Sequence, residues 1–296
     1  MANLKAVRER ITSVQNTQQI TKAMKMVSAA KLRRAQTAVQ QIRPYADKQN
    51  EMLRNILSNL DGDANTTFGV QRIIKKACIV VVTSNRGLAG AFNTNVIKSA
   101  IATIETKYAD VHREGGLTIL PIGKKGYDVL RKRYADCNII NDYVEIFSDL
   151  SFENVAQVSQ RLMDGFELGE YDSVTVSYGR FKNAATQFAE SEQWLPVVKL
   201  DAANTAKTKA NYIFEPGMAT LLETLVPSIL QTTFHKYLLD THASEHGARM
   251  TAMDKATENA NEMLKDLKLM YNKARQEAIT GEILEIVGGA AALESA

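Results

Sequence analysis

The feature that most constrains the fold is a repeated spacing of three and four residues between apolar positions at the start of the chain. The spacing begins at Leu4 and is kept, through a polar middle, as far as Ile42. It is typical of a coiled-coil seam, in which a helix turns one stripe toward a partner. Because proline disfavours helical geometry at the preceding residue, Pro44 is predicted to end or kink this helix, and residues 45–60 are predicted to be further helix.

A second seam with the same spacing runs from Ala243 to Ala278 near the other end of the chain. A helix of about 60 residues spans roughly 90 Å, far more than an ordinary globular helix. Two such helices from opposite ends of one chain most simply pair as an antiparallel coiled coil. Near the end of the chain, residues 282–293 read EILEIVGGAAAL, and this small and apolar stretch suits an apolar socket in a partner. The alternative for this segment is a frayed tail.

Glycine and aromatic residues are concentrated in the middle of the chain. Residues 1–61 contain no glycine, and 16 of the 20 aromatic residues lie in 62–216. Aromatic residues and turn glycines indicate a compact core with strands and loops. The sequence therefore predicts an N-terminal coiled-coil helix in 1–61, a central α/β domain in 62–216 and a C-terminal coiled-coil helix in 217–296.

The central segment alternates strand-like and helix-like stretches. KACIVVVTS in 76–84 is short, apolar and β-branched, as buried strands are. A small parallel sheet with an antiparallel edge is the arrangement that such an alternation favours. The predicted strands are 76–84, 117–123, 171–181 and 186–197, the last two forming a hairpin, and the predicted helices are 93–108, 127–134 and 152–168.

Composition excludes several classes of protein. No stretch of about 18 apolar residues is present, so the chain is not expected to span a membrane. The start lacks the pattern of a secretory signal or of an organelle transit peptide. Cys78 and Cys137 are too few for a disulfide framework or a closed zinc site, and a reduced cytosolic setting fits best.

Glycines 87 and 90 follow the first predicted strand in the stretch TSNRGLAGAFN. A turn between a strand and a helix is a common place for a phosphate group. However, the stretch contains neither of the two established glycine-rich phosphate motifs. Glycines that serve only the turn are the favoured interpretation, and no cofactor is predicted.

His242 and His246 belong to the pattern H-x-x-E-H, which is found in one class of zinc peptidases. Two histidines four residues apart share a helix face and can bind one metal ion. Against this interpretation, His246 falls on the seam, and a long helix offers no substrate cleft. A zinc peptidase is kept as an alternative.

The first helix carries a strong positive charge, although the whole chain has a net charge of only +3. Residues 1–43 contain nine basic residues against a single acid, Glu9. Such a helix suits an acidic protein partner, and a nucleic acid is the alternative. The absence of aromatic residues for base stacking in this helix weakens that alternative.

Both ends of the chain resemble the γ subunit of F-type ATP synthases. The resemblance rests on ITSVQNTQQITKAMKMVSAAKLRRAQ in 11–36, on residues 243–293, and on TSNRGLAGAFN in the middle. It implies an antiparallel coiled-coil shaft inside a hexamer of α and β subunits, with a Rossmann-like central domain at the foot, against the ε subunit and the membrane c-ring. It further implies a non-catalytic subunit that rotates to couple proton flow to ATP synthesis, peripheral to the cytoplasmic face of the cell membrane.

The resemblance also implies partner contacts. Arg249 and Gln276 match positions that bind a β-subunit loop, and Thr280 lies close to Gln276. Lys25 on the first helix is a further candidate for contact with the hexamer. At the foot, the matching residues are Tyr212, Phe214 and Glu215.

Arg249 and Gln276 are 27 residues apart, which is about 7.5 helical turns and about 40 Å. One small loop cannot reach both, so two levels of contact are expected. Arg249→Ala is expected to weaken coupling, meaning the protons pumped per ATP hydrolysed, more than it weakens assembly. The alternative, which normal pumping and ATP synthesis in this variant would indicate, is that Arg249 is a solvated residue beside the seam.

Overall fold

A computed structural model describes residues 4–58, 67–197 and 218–294. It divides the chain into two compact units, one formed by residues 1–28 with 250–296 and the other by residues 29–249. The domain boundaries predicted at 61/62 and 216/217 involve residues outside the described part, and those boundaries stay predictions. In chain order the main elements are α1 (Leu4–Ser58), β1 (Ala77–Val82), α2 (Phe92–Lys107), α3 (Ala109–Arg113), β2 (Leu117–Ile122), α4 (Lys124–Arg133), β3 (Asn138–Ile139), α5 (Phe152–Glu167), β4 (Ser173–Phe181), β5 (Gln187–Leu195) and α6 (Met218–Glu294).

The two long helices, α1 and α6, confirm the predicted helical ends of the chain. Every predicted seam position of α1 from Leu4 to Ile42 is buried or half-buried, and so is every seam position of α6 from Ala243 to Ala278. Side-chain bonds join Arg8 to Tyr271 and Lys25 to Asp254, so residue numbers fall along α6 as they rise along α1. The helices of the unit formed by 1–28 and 250–296 are therefore antiparallel.

Pro44 was predicted either to end or to kink the first helix, and the prediction that it ends the helix is wrong. The helix α1 continues through this residue as far as Ser58. Proline removes one backbone donor and crowds the carbonyl four residues earlier, which costs roughly 3 kcal/mol in an isolated helix. Neighbouring packing offsets such a cost: Ala46 is buried, and Arg43 is bonded to the carboxylate of Asp240 on α6.

The unit of residues 29–249 contains a five-stranded sheet in the order β3-β2-β1-β4-β5. The first four strands in this order are parallel, and β5 is antiparallel to β4. The helices α2, α4 and α5 each lie in a connection between parallel strands. This order is that of a Rossmann-like fold, as expected, with the antiparallel strand at one edge.

Successive residues of β1 face opposite sides of the sheet, as the two-residue period of a strand requires. Ala77, Ile79 and Val81 pack with α2, and Cys78 and Val80 pack with α5 and the first part of α6. All six residues of β1 are fully buried. The sheet thus has apolar cores on both faces, which explains the continuous apolar run that predicted β1.

Two short elements were not predicted. The helix α3 has five residues, and β3 has two. A five-residue helix holds little more than one turn and a two-residue strand holds one alternation, so neither repeats a hydrophobic pattern often enough for sequence periodicity to reveal it.

Candidate functional site

The helix pair formed by 1–28 and 250–296 is joined by polar side chains. Lys25 Nζ lies 2.5 Å from Asp254 Oδ1, and Thr257 Oγ1 donates to Thr21 Oγ1 at 2.8 Å. Gln18 donates to Asn261. Arg8 donates to the Tyr271 hydroxyl at 2.7 Å, and its guanidinium lies 5.6 Å from the centre of that ring. Gln18, Thr21 and Lys25 occupy the polar middle of the α1 seam, whereas Arg8 lies beside its apolar start.

Gln276 and Thr280 lie one turn apart on α6, and both are exposed. Their spacing of four residues places them on the same helix face. The predicted contact of Gln276 and Thr280 with a β-subunit loop stays a prediction. Lys25 is half-buried and is bonded to Asp254 within this chain.

The last turns of α6 present apolar side chains on the surface. These residues are between half and three-quarters exposed, and they are Ile283 (54%), Leu284 (66%), Ile286 (72%) and Val287 (59%). Helix α6 continues to Glu294, so this segment is helical and not the frayed tail kept as an alternative. A cluster of exposed apolar residues of this kind marks an interaction surface.

Tyr212, Phe214 and Glu215, the predicted foot contacts, lie outside the described residues. Their predicted role is therefore not tested.

Arg249 is buried and has its partners within this chain. Its Nη2 lies 2.6 Å from Glu245 Oε1, and both side chains are less than a tenth exposed. It also donates to the carbonyl oxygens of Arg86, at 2.8 Å, and of Gly87, at 3.2 Å. The alternative of a solvated residue is wrong. The predicted contact with a β-subunit loop stays a prediction.

The segment held by Arg249 is the glycine-containing turn after β1. Leu88 in this turn has a φ of 63° and is 63% exposed. A non-glycine residue in this left-handed region is uncommon and carries strain, which surrounding contacts must offset. The bonds from Arg249 to the two preceding carbonyls hold the turn in this shape and keep Leu88 at the surface.

The N-terminus of α4, the helix that follows β2, is bonded to the end of β1 and to the turn after it. At the start of α4, the Lys124 N–H donates to Asn85 Oδ1, the Lys125 N–H to the Ser84 carbonyl, and the Gly126 N–H to Thr83 Oγ1. These are the backbone donors that an anion at a helix N-terminus uses. In the same turn after β1, Gly90 has a φ of 58°, which supports the interpretation of Gly90 as a turn residue.

His242, which is half-buried, and His246, which is buried, form a hydrogen-bonded pair. Their Nε2 atoms are 3.1 Å apart, and His246 Nδ1 lies 3.3 Å from Arg249 Nη1. Because arginine only donates, His246 Nδ1 accepts, and the proton of the neutral ring is on Nε2, which donates to His242. Burial, with the nearby charges of Lys31 and Arg249, lowers the pKa of His242 to about 4 and that of His246 to about 3.

These bonds do not favour the zinc peptidase alternative. Glu245, the third member of the pattern, is held by the guanidinium of Arg249. Burial raises the pKa of Glu245, an effect that Arg249 opposes. His242, His246 and Glu245 are thus connected with Arg249 in one polar network.

Cys78 is buried in β1, as predicted. Burial raises the pKa of its thiol to about 12. A thiol in this state is a poor nucleophile at neutral pH. Within residues 4–58, 67–197 and 218–294, the helices lack the apolar length that crossing a membrane requires.

Sequence reasoning identified Lys25 and Arg249 as candidates but did not identify their intrachain partners, Asp254 and Glu245. The pair Glu245 and Arg249 has the spacing of four residues at which opposite charges meet on a helix, so that partner was detectable. Asp254 and the carbonyls of Arg86 and Gly87 were not detectable, since they come from segments distant along the chain.

Comparison with known proteins places the whole chain in one family. The family model described as ATP synthase matches residues 3–293. The ATP synthase gamma chain of Cytophaga hutchinsonii is 52% identical over 297 residues, which cover all of both chains. The gamma chain of Flavobacterium psychrophilum is 53% identical over 294 residues, which cover 99% of this chain and all of the relative.

Solved structures agree with the fold. The rotor of the Euglena gracilis mitochondrial ATP synthase, in rotational state 1, contains a chain that is 25% identical, with a TM-score of 0.60 over 93% of this chain and 98% of that one. A chain in the OSCP/F1/c-ring structure of the same enzyme has a TM-score of 0.69 and 24% identity, over 99% of this chain and 95% of that one. The long terminal helices, the Rossmann-like sheet and the full-length match lead to one conclusion: this chain belongs to the ATP synthase gamma chain family.

Proposed function

We propose that this chain is the central-stalk rotor subunit of a proton-translocating ATP synthase. Its terminal helix pair turns inside a hexamer of α and β subunits, and its central domain contacts the ε subunit and the c-ring. Rotation couples proton flow through the membrane sector to ATP synthesis in the hexamer. As a gamma chain, it is a non-catalytic subunit.

The observation that carries this proposal is the antiparallel helix pair with polar side-chain bonds across its seam. Four pairs, from Arg8–Tyr271 to Lys25–Asp254, join the helices of the unit formed by 1–28 and 250–296. An exposed ion pair is worth about 0–1 kcal/mol, so no single one bears a large load. Several bonds along the pair distribute the load.

The charge of α1 supports an acidic partner inside the hexamer. Arg10, Lys22, Arg33 and Arg34 are all exposed. We expect them to face acidic loops of the β subunits, because complementary charge guides association. The exposed apolar end of α6, from Ile283 to Val287, suits an apolar bearing in the hexamer.

Gln276 and Thr280 are proposed to form one contact with a β-subunit loop, and Lys25 is proposed to lie in the hexamer interface as well. Arg249 is proposed to act at a second level. Because Arg249 is buried, we propose that it acts through the turn it holds, which presents Leu88. Tyr212, Phe214 and Glu215 are proposed as foot contacts with ε and the c-ring.

The proposed location is the cytoplasmic face of the cell membrane, where the subunit is held through its partners. The family membership supports a peripheral subunit of the complex.

The test uses the assembled complex in membrane vesicles, in which ATP hydrolysis and ATP-driven proton pumping are measured together. The variant with Gln276→Ala and Thr280→Ala is expected to assemble normally and to pump fewer protons per ATP hydrolysed. Both residues are exposed, so the substitutions leave the fold intact.

A matched control is Thr106→Ala on α2, an exposed threonine whose hydroxyl donates to the Ala102 carbonyl of its own helix. It is expected to leave pumping unchanged. Unchanged pumping and ATP synthesis in the double variant would overturn the assignment of Gln276 and Thr280. Failure of the chain to co-purify with a membrane-attached ATPase would overturn the proposed function as a whole.

A further inference from the structure

Three side chains with different ligand atoms meet at the edge of the sheet that carries β3. His112 lies on α3, and Asp136 and Cys137 lie in the turn between α4 and β3. The ligand atoms of the three residues all lie within 4.8 Å of one another. None of these residues belongs to the surfaces proposed above for the hexamer or the foot.

The carboxylate of Asp136 lies between the other two ligand atoms. His112 Nε2 is 3.1 Å from Asp136 Oδ2, and Cys137 Sγ is 4.0 Å from Asp136 Oδ1. Zinc binds histidine nitrogen and carboxylate oxygen at about 2.0–2.2 Å and thiolate sulfur at about 2.3 Å. Ligand atoms around such an ion are therefore separated by distances close to those seen here, and small side-chain rotations complete the site.

Backbone hydrogen bonds hold two of the three residues, His112 and Cys137. The His112 N–H donates to the Tyr108 carbonyl at 2.8 Å, and the Cys137 N–H donates to the Tyr134 carbonyl at 3.2 Å. The Tyr134 ring, which is buried, packs edge-on against the His112 ring with 5.3 Å between centroids. Supporting contacts of this kind orient a ligating histidine before the metal arrives.

The charges next to the cluster do not oppose a cation strongly. Arg113 is paired with Asp110 at 2.7 Å, and Arg133 is paired with Glu105 at 3.1 Å. The Asp136 side chain is 68% exposed and the His112 side chain 30%, so an ion has a path from solvent.

We propose that His112, Asp136 and Cys137 bind a divalent zinc-type cation. A set of one nitrogen, one oxygen and one sulfur ligand suits borderline metals such as zinc or cobalt. Magnesium and calcium prefer six or more oxygen ligands, so they do not fit. With three protein ligands, a water molecule completes the tetrahedron.

The ion would fasten the two-residue edge strand β3 to α3. The strand β3 pairs with β2 at Thr118 and Ile119, and its Ile139 packs against the core on one face of the sheet. Because a ligand that binds only the folded state stabilises that state, zinc is expected to raise the melting temperature of the chain, and magnesium is not.

The experiment titrates cobalt into the full-length chain after it has been reduced and freed of metal by a chelator. A thiolate-to-cobalt charge-transfer band in the near ultraviolet is expected, saturating at one ion per chain, and zinc is expected to displace it. Cys137→Ser is expected to abolish the band. His112→Gln and Asp136→Asn are expected to weaken cobalt binding roughly tenfold or more, since even residues that only support a ligand cost 10–100-fold.

Two controls separate this cluster from the other cysteine and the other histidines. Cys78→Ala and His242→Gln are expected to leave the band and the cobalt affinity unchanged. Circular dichroism of each variant checks the fold, and Asp136→Asn is the decisive variant because that side chain is mostly exposed. The proposal is overturned if the wild type shows no band, if the band survives Cys137→Ser, or if Asp136→Asn binds cobalt as tightly as the wild type.

Discussion

Arg249 and Glu245 form an ion pair one turn apart on α6, with 2.6 Å between Arg249 Nη2 and Glu245 Oε1, and both side chains are less than a tenth exposed. The same guanidinium bonds to two carbonyls of the turn after β1. One side chain therefore connects a long helix to the loop that ends a strand.

Arg249→Ala is expected to lower the free energy of unfolding by about 3–5 kcal/mol, because it leaves a buried carboxylate and two carbonyls without their donor. Urea unfolding of the full chain measures the loss. Replacing both partners with apolar residues, as in Arg249→Met with Glu245→Leu, is expected to cost less than the single change. Equal stability of the wild type and Arg249→Ala would contradict this account. Since the single change also weakens the fold, its effect on coupling must be compared with its effect on assembly.

The hydrogen-bonded pair of His242 and His246 is expected to make the fold sensitive to acid. Their pKa values fall from 6.5 to about 4 and about 3, so the unfolded chain binds more protons than the folded chain in the window below pH 6.5. Stability is therefore complete above pH 6.5 and decreases as the pH falls toward 4. One pKa unit corresponds to about 1.4 kcal/mol, so each histidine contributes on the order of 2 kcal/mol of loss between pH 7 and pH 5.

Urea unfolding at several pH values measures this slope. His242→Gln removes one titrating group and keeps a polar side chain, and it is expected to flatten the slope. The same slope in the variant and the wild type would show that other groups cause the acid sensitivity.

Cys78 is expected to react slowly with thiol reagents in the native chain. It is fully buried, and burial raises its pKa to about 12, so thiolate is scarce at neutral pH. Cys137, which is partly exposed, serves as the internal comparison in chelator-treated protein. Mass spectrometry of the labelled peptides gives both rates. Labelling of Cys78 as fast as that of Cys137 would contradict its burial.

Gly179→Ala and Gly281→Ala are expected to have opposite effects on stability. A Cβ at Gly179 on β4 meets the Phe92 ring and approaches the Ser244 Cβ to 3.4 Å, and overpacking of this kind costs about 1–3 kcal/mol. A Cβ at Gly281 on α6 meets nothing within 4 Å. Alanine is the better helix former by about 1 kcal/mol, so Gly281→Ala is expected to stabilise the chain. Melting temperatures of the two variants show whether each substitution stabilises or destabilises the chain. A melting temperature of Gly281→Ala below that of the wild type would be inconsistent with the open space around Gly281.

Elements with a long repeat were predictable from the sequence. The seam positions from Leu4 to Ile42 lie on the buried side of α1, and the apolar run at Cys78 is the central strand, because burial on one stripe or on both faces leaves a pattern over many residues. The continuation of α1 through Pro44 was not predictable, since it depends on packing that offsets a local cost.

Site residues were harder to predict than elements. Arg249 was recognised as important, but its burial was not, because its partners at Arg86 and Gly87 are distant in sequence. His112 and Asp136 were not predicted as site residues for the same reason. They are distant in sequence, and α3 and the turn before β3 meet only in the folded sheet. A sequence pattern reports neighbours within a few residues, and contacts across the fold leave no such pattern.

The polar bonds across the seam fix the axial register of the helix pair in the unit formed by 1–28 and 250–296. Moving one helix along the other by a single turn shifts it about 5.4 Å, which separates the atoms of every cross-pair from Arg8–Tyr271 to Lys25–Asp254. A purely apolar seam would offer similar contacts after such a slip, whereas these bonds all break together. Sliding of one helix along the other therefore breaks all four pairs at once, so the pairs together oppose shear between the two helices.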